Sequence, residues 1–568
     1  MNFSRIKHEG WLYWLAFLIA LGLRLIQLGA NPLVDSESQL ALQALHIARG
    51  QEALLGPQPA YILFTSVLFL ITESTNFMAR FLPAIVGSLL VFTPRYFEDK
   101  LKPVPALVLA FLFAFDPGLT ALSRQAGGTI LAVTFLFFAW GMWRNGRSVP
   151  AGIFAGLALL SGPSIWSGLL TLGLAFLFLR EKSDQTHQPE QAERRTLVIV
   201  LIATILLAGT LFFTTANGLS ALFNSLPAYL SGWTSFSVFT PGRMLIAFVG
   251  YEPLGIFLAV FTLVRGLRGK SVRVQRLAVW LGVSLLIAIF YRQTSELVWV
   301  IIPLLALAAD ELSHSFSIYP EERAETGLIS FLMLITLILA GLNVSYIGLG
   351  PGALTPITIP VLGFNLQYPD FHIVRFYGAI FLLLCIIAFS LVLSLRSARI
   401  STTWAFSLFL GVYAFAAAWG ASGQRTPNGI ELWSPDQAPI QADLVMSSVD
   451  DISLFSLGHI ESQPVTVIGI DSPSLEWALR DYDVEVVSVL DPLNAPPIII
   501  TPLMNELGLP SAYRGQDFIW RQPPSWNNVQ RSDWVRWLVY RQLPRETETI
   551  ILWARDDLFP DARENTQP

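Results

Sequence analysis

Apolar runs follow one another along this chain as far as about residue 420 and then stop. That feature constrains the fold more than any other. A helix needs roughly 20 apolar residues to cross a bilayer core, and runs near that length lie at 11–28, 77–97, 103–115, 129–143, 149–162, 164–179, 196–213, 244–264, 277–291, 297–309, 328–347, 376–395 and 402–419. Several are short, so their ends are loose by a few residues. Charge agrees with this reading: 14% of the 568 residues are Asp, Glu, Lys or Arg, against about 25% in a soluble domain. The chain reads as a polytopic α-helical membrane protein. The first run carries Arg24 and Gln27 and lacks a small-residue cleavage site, so it is expected to stay as an anchor. A net charge of -5 argues against nucleic acid as a partner. The single cysteine, Cys385, excludes an intrachain disulfide.

Positive charge sets the direction of each span, because Lys and Arg favour the cytoplasmic side. The decision turns on Pro59–Ile71. If this run does not cross, and Arg5 and Lys7 are inside, then Arg95, Lys100, Lys102, Arg144, Arg147, the Arg265–Arg276 cluster, Arg396 and Arg399 are all inside as well. If it does cross, nearly all of them face out. The expectation is therefore a juxtamembrane helix at Pro59–Ile71, about thirteen spans, a cytoplasmic N-terminus and an extracytoplasmic C-terminus in a plasma membrane. The long and varied loops, 29–76, 116–128, 214–243, 348–375 and everything past 420, then share the outer face.

The first outer loop holds the most telling stretch, NPLVDSESQLALQALHIARG over residues 31–50. Asp35 and Glu37 open it at a membrane boundary. Helical spacing follows, with Leu40, Ala44, Leu45 and Ile47 on one side and Gln39, Gln43 and His46 on another. An acidic loop that lies down as an amphipathic helix makes a roof over an interfacial site. The plainer alternative is that Asp35 or Ser36 caps the helix.

Three further groups fall at the same depth: Arg80, Asp116 and Arg124. Acids and arginines at an interface suit a reaction between a lipid-linked phosphate and a hydroxyl. A carboxylate can take the hydroxyl proton, and arginine can hold phosphate through paired hydrogen bonds. Alternatively, Arg80 and Arg124 snorkel to headgroups. Arg24 lies a turn inside its span and needs a partner, for which Asp35 or a lipid phosphate is a candidate. Glu252 either lines a cavity within a span or marks a span end. Glu296 and Arg292 share one turn and can pair with each other. No His/Cys/Asp cluster has zinc spacing, and no metal or other cofactor is expected.

From residue 421 the composition changes. Residues 421–445 read as a linker, and 446–568 as a small α/β domain of about 100 residues. Strands are expected near 465–470, 484–489, 497–501, 518–521 and 549–553, with helices at 472–482 and 533–542. Trp520, Trp526, Trp534, Trp537, Arg521, Arg536 and Arg541 either contact sugars or headgroups or pack the domain.

The ordered set Leu23-Arg24-Leu25, 32–37, 56–61, Ala79-Arg80-Phe81-Leu82-Pro83-Ala84 with Gly87, Asp116-Pro117 and Ser123-Arg124 resembles the N-terminal half of the GT-C glycosyltransferases. The similarity is to family 39, which holds protein O-mannosyltransferases, aminoarabinose transferases and flippase-associated archaeal-type relatives. It covers about the first 180 residues, and residues 472–482 and 513–521 are similar to the tail of those relatives. The resemblance implies a GT-C-like fold with outer juxtamembrane helices, a polyprenyl-phosphate sugar as donor, and Asp35 as general base or essential acid. Ser36 separates Asp35 from Glu37 where the family has Asp-Glu adjacent. Gly127 and Thr129 stand where relatives continue to a second Arg and an Asp.

The expected function is sugar transfer from a polyprenyl-phosphate donor to a glycan, lipid or protein acceptor on the outer face. Asp35, Glu37 and Asp116 are the catalytic candidates, and Arg80, Arg124 and Arg24 the lipid-phosphate-binding ones. The rival is a catalytically silent GT-C-like lipid-binding or scaffold protein of cell-envelope glycan assembly.

Overall fold

The computed structural model describes residues 10–178, 191–317, 319–349, 357–361, 364–368, 371–423, 429–434, 436–489 and 495–559. The basic pair Arg5 and Lys7 and most of the 181–195 loop lie outside them.

Helices dominate up to residue 421. Among the described residues six are long and apolar enough to cross a bilayer, or nine if each of three bent pairs is one span, and three shorter apolar helices join them. The helix at His372–Leu393 buries only 11% of its most apolar window inside the protein. Leu384, Phe381 and Val392 on it are exposed. So wide an apolar surface without a protein partner faces lipid, and the chain is a multi-pass membrane protein.

Proline sets two of the three bends. Pro103–Phe115 and Pro117–Ser123 meet at 56°, and Pro241–Tyr251 and Pro253–Arg268 at 87°. In each, an acid-proline pair ends one helix and proline opens the next, where its missing N–H costs nothing. The expected span at 244–264 is thus two helices, and Glu252 sits at their break. Ser148–Leu160 and Ser164–Leu177 bend by 119° around Gly162, whose φ of +113° suits glycine.

The first helix, Gly10–Leu25, fixes the two ends of the bundle. Near its start, Tyr13 donates to Glu98 (3.2 Å). There the basic loops gather: Arg144 pairs with Asp99, Arg273 reaches the Lys100 carbonyl, Arg265 and Arg273 clasp Asp310, and Arg399 approaches Glu311. Near its finish, Arg24 meets Ser123. Of the basic residues assigned to one side by charge, Arg144, Arg265, Arg273 and Arg399 share one end.

At the other end the roof helix Asp35–Ala48 packs on Pro59–Ile71. Thirteen residues span about 20 Å, too short to cross a core of about 30 Å. Most of this helix is buried in protein, and only its tip, Leu70 and Ile71, is exposed.

Past residue 441 a second core begins. Five strands, β3 (Val465–Ile468), β4 (Val484–Val487), β5 (Ile498–Pro502), β6 (Tyr513–Arg521) and β7 (Glu548–Arg555), form one sheet in the order β4-β3-β5-β7-β6. β3 runs parallel to β4 and β5, while β7 is antiparallel to β5 and β6. A helix at Ala442–Leu457, which the sequence reading missed, gives Ala442, Val445 and Val449 to this core. The expected linker is partly internal: Ile430, Leu432 and Trp433 are buried, and Trp433 lies 4.4 Å from the Tyr251 ring. Arg541, 1% exposed, sits 4.8 Å over Tyr251 and 4.5 Å over Trp537 and ties the sheet domain to the bundle. A small antiparallel hairpin, β1 (Ile357–Val361) with β2 (Phe364–Tyr368), precedes the last two long helices.

Candidate active site

The roof helix starts one residue earlier than a cap at Asp35 would require, and two earlier than a cap at Ser36. Val34 is the cap residue, and its N–H donates to Glu37 Oε2 (3.1 Å). Asp35 and Glu37 lie two apart on a helix, about 200° around its axis, so they face different ways.

Glu37 turns inward. Arg80 grips it through Nε to Oε1 (2.9 Å) and Nη2 to Oε2 (2.5 Å), and the Ala126 N–H donates to Oε1 (2.7 Å). Arg80 also donates to the carbonyls of Leu28, Asn31 and Pro32. Its donors are spent on the segment it staples. Arg124 does the same for the end of the first helix, where carbonyls lack helical partners. It donates to Leu23 (3.3 Å), Arg24 (2.9 Å), Ile26 (2.8 Å) and Gln27 (3.2 Å), and to Ser422 from the last long helix (3.0 Å). Arg24 is fully buried. Its partners are Ser123 Oγ (3.0 Å) and the carbonyls of Ala20, Phe113 and Ala114. The expected partners of Arg24, Asp35 or a lipid phosphate, give way to these. For all three arginines, the expected grip on a carrier phosphate gives way to internal acceptors that already engage the guanidinium.

Asp116 accepts the Leu119 N–H (2.7 Å) and so caps the helix Pro117–Ser123. The Glu252 carboxyl lies beside it. The two acid-proline breaks thus meet, and Asp116 shares none of the partners of Asp35. Glu296 and Arg292 do not pair. Arg292 donates to the Ser235 carbonyl, while Glu296 is buried toward Ser164, Ser167 and Trp299.

Asp35 turns the opposite way, into the seam with the sheet domain. Its Oδ1 accepts from Ser472 Oγ (3.0 Å), the Ser474 N–H (3.0 Å) and Arg521 Nη2 (2.5 Å). Burial pushes this carboxyl up. The Ser474 N–H, the Arg521 guanidinium and the Ser474 hydroxyl more than offset that, and it stays below its ordinary value. Beside it, Asp436 accepts the Ser36 N–H (3.3 Å). Burial, with Asp471 and Asp35 nearby, pushes Glu476 up.

The seam has other fasteners. Trp477 Nε1 donates to Asn76 (2.8 Å), Arg480 to the Ser74 carbonyl (3.0 Å), and Arg49 pairs with Asp481 (2.9 Å). A cavity of about 410 Å³ opens between Ala48, Phe69, Thr72, Glu73 and Arg480. Asp35, Arg80 and Arg124 are not among its walls. Sequence reasoning missed Ser472, Ser474 and Arg521 as partners of Asp35. Their only signal was the similarity of residues 472–482 and 513–521 to the tail of known relatives.

Among solved structures, the chain is similar to ArnT from Cupriavidus metallidurans. In the apo state the match has 14% identity and a TM-score of 0.50, covering 87% of this chain and 93% of ArnT. For ArnT bound to undecaprenyl phosphate the values are 13%, 0.51, 96% and 98%. The fold is GT-C-like. At such identity the likeness is one of fold. No protein-family model matches the sequence, and no curated protein matches it significantly. In this GT-C-like frame the sheet domain closes on Asp35, while Glu37, Arg80 and Arg124 hold the first loop from its other side.

Proposed function

We propose that this chain transfers a sugar from a polyprenyl-phosphate carrier to an acceptor hydroxyl on the extracytoplasmic face of a plasma membrane. One observation carries the reading: a carboxylate, Asp35, stands at the first turn of the roof helix, partly exposed in the seam of a GT-C-like fold. ArnT, bound to undecaprenyl phosphate in one structure, supports the carrier class. Asp35 takes the proton of the acceptor hydroxyl as that oxygen attacks the anomeric carbon with inversion. The bond from that carbon to the phosphate oxygen breaks, and the electron pair leaves with the carrier monophosphate. Glu37, Asp116, Arg80, Arg124 and Arg24 are positioning residues in this reading. The basic residues gathered at the opposite end of the bundle support a cytoplasmic N-terminus.

Membrane vesicles containing the chain and labelled polyprenyl-phosphate sugar test the proposal. Asp35→Asn is expected to lower transfer by about 10²–10⁴-fold, the range for general-base removal. Undiminished transfer overturns the assignment. Gly127 and Thr129, where relatives carry Arg and Asp, favour a second reading as a silent lipid-binding protein. Carrier binding without release of sugar by the wild type would select it.

A further inference from the structure

Arg80 and Arg124 are engaged by internal acceptors, but Arg521 at the end of β6 is used differently. Three acceptors crowd on one of its nitrogens. Nη2 donates to Asp35 Oδ1 (2.5 Å), Ser472 Oγ (2.6 Å) and Ser474 Oγ (2.8 Å). Its Nε is buried and has no partner among the described residues. The Nε and Nη2 atoms form one edge of the guanidinium, the edge with which Arg80 grips both oxygens of Glu37. Asp35 therefore holds only half of the matching edge on Arg521.

An oxyanion with tetrahedral oxygens can bridge both donors, which makes arginine a bidentate phosphate holder. Two hydroxyls, Ser472 and Ser474, already stand at the same nitrogen and can donate to such an anion. The side chains of Arg521 and Asp35 are 16% and 23% exposed, so the pair borders solvent, while Nε itself is covered. We propose that Arg521 is the phosphate-binding residue of this site, and that Asp35 is its resting counter-ion, displaced when a lipid-linked phosphate takes the Nε/Nη2 edge. Docking the carrier thereby frees the carboxylate to act as a base. The inference rests on the glycosyl-transfer reading and names the residue on which it depends.

The test measures binding of undecaprenyl phosphate to the full chain in detergent, with inorganic phosphate as second probe. Arg521→Gln is expected to weaken binding of the lipid at least tenfold. Asp35→Asn is expected to tighten it several-fold, because the competing carboxylate is gone. A purely structural bridge predicts the same sign for both variants, since either breaks the seam. Wild-type binding that Arg521→Gln leaves unchanged overturns the inference alone, as does weaker or equal binding by Asp35→Asn. Inorganic phosphate bound as tightly as the lipid overturns the lipid source. A wild type that binds neither probe overturns the carrier reading and this inference with it.

Discussion

Glu37 and Arg80 meet edge to edge, two donors to two oxygens at 2.9 and 2.5 Å, with side chains 5% and 9% exposed. Burying an ion pair is costly, and it persists where every lone pair and proton finds a partner. Here the Val34 and Ala126 N–H groups complete the carboxylate, and three carbonyls complete the guanidinium. The pair is a clamp that gives the first loop its path.

Removing one partner leaves the other charged and unmatched. Glu37→Gln or Arg80→Met alone is expected to cost about 3–5 kcal/mol of stability. The double variant Glu37→Gln with Arg80→Met should cost less than the sum of the singles. Thermal unfolding in detergent across the four-member cycle measures this, and additive losses would contradict the clamp.

Arg124 gathers carbonyls that the first helix cannot satisfy. Arg124→Ala should cost about 3 kcal/mol, a sum of lost charge-assisted hydrogen bonds reduced by water entry. Hydrogen exchange should rise at the amides of residues 23–28 and stay unchanged in β3 to β7. Equal protection along the first helix would show that other groups cap it.

The seam at Asp35 carries a pH dependence of known sign. Its folded carboxyl lies below the ordinary value, so ionisation favours docking of the sheet domain. That contribution is complete above the unfolded value near pH 4 and is lost as pH falls below it through the folded one. Glu476, pushed up, has the opposite sign: its contribution fades as pH rises through its raised value. Limited proteolysis between residues 429 and 441 should therefore accelerate below about pH 4 in the wild type. Asp35→Asn should lack this acid-dependent rise.

Two adjacent glycines should respond differently. A Cβ on Gly128 would lie 1.8 Å from the Ser161 carbonyl oxygen, whereas on Gly127 the nearest atom is Gln58 Oε1 at 3.4 Å. Gly128→Ala is expected to cost about 3 kcal/mol through forced backbone shifts, and Gly127→Ala under about 0.5 kcal/mol. Expression and melting of the two single variants compare them directly.

Much of the architecture was legible because period and charge are local signals. Apolar runs mark the bundle, and strands at 484–489, 497–501 and 549–553 were expected where β4, β5 and β7 occur. Pro59–Ile71 is too short to cross, but its burial in protein had no signature in the sequence. The helix at Asn217–Gly232 was missed because Pro227 and several small polar residues mask its pattern. The break at Glu252-Pro253 was one of the two readings open for Glu252 in the sequence. The site was harder. Arg80 and Arg124 look like phosphate ligands in sequence, and only folding shows the carbonyls that occupy them. A lone arginine and two serines more than 430 residues from Asp35 carry no spacing signal at all.

Asp35 and Arg521 are separated by 486 positions. The first loop is made long before β6, so its acid stays unclaimed while the bundle is synthesised. The lock between the two halves is thus the last contact to become available, and a chain stalled before Arg521 would hold its helices yet leave the seam open.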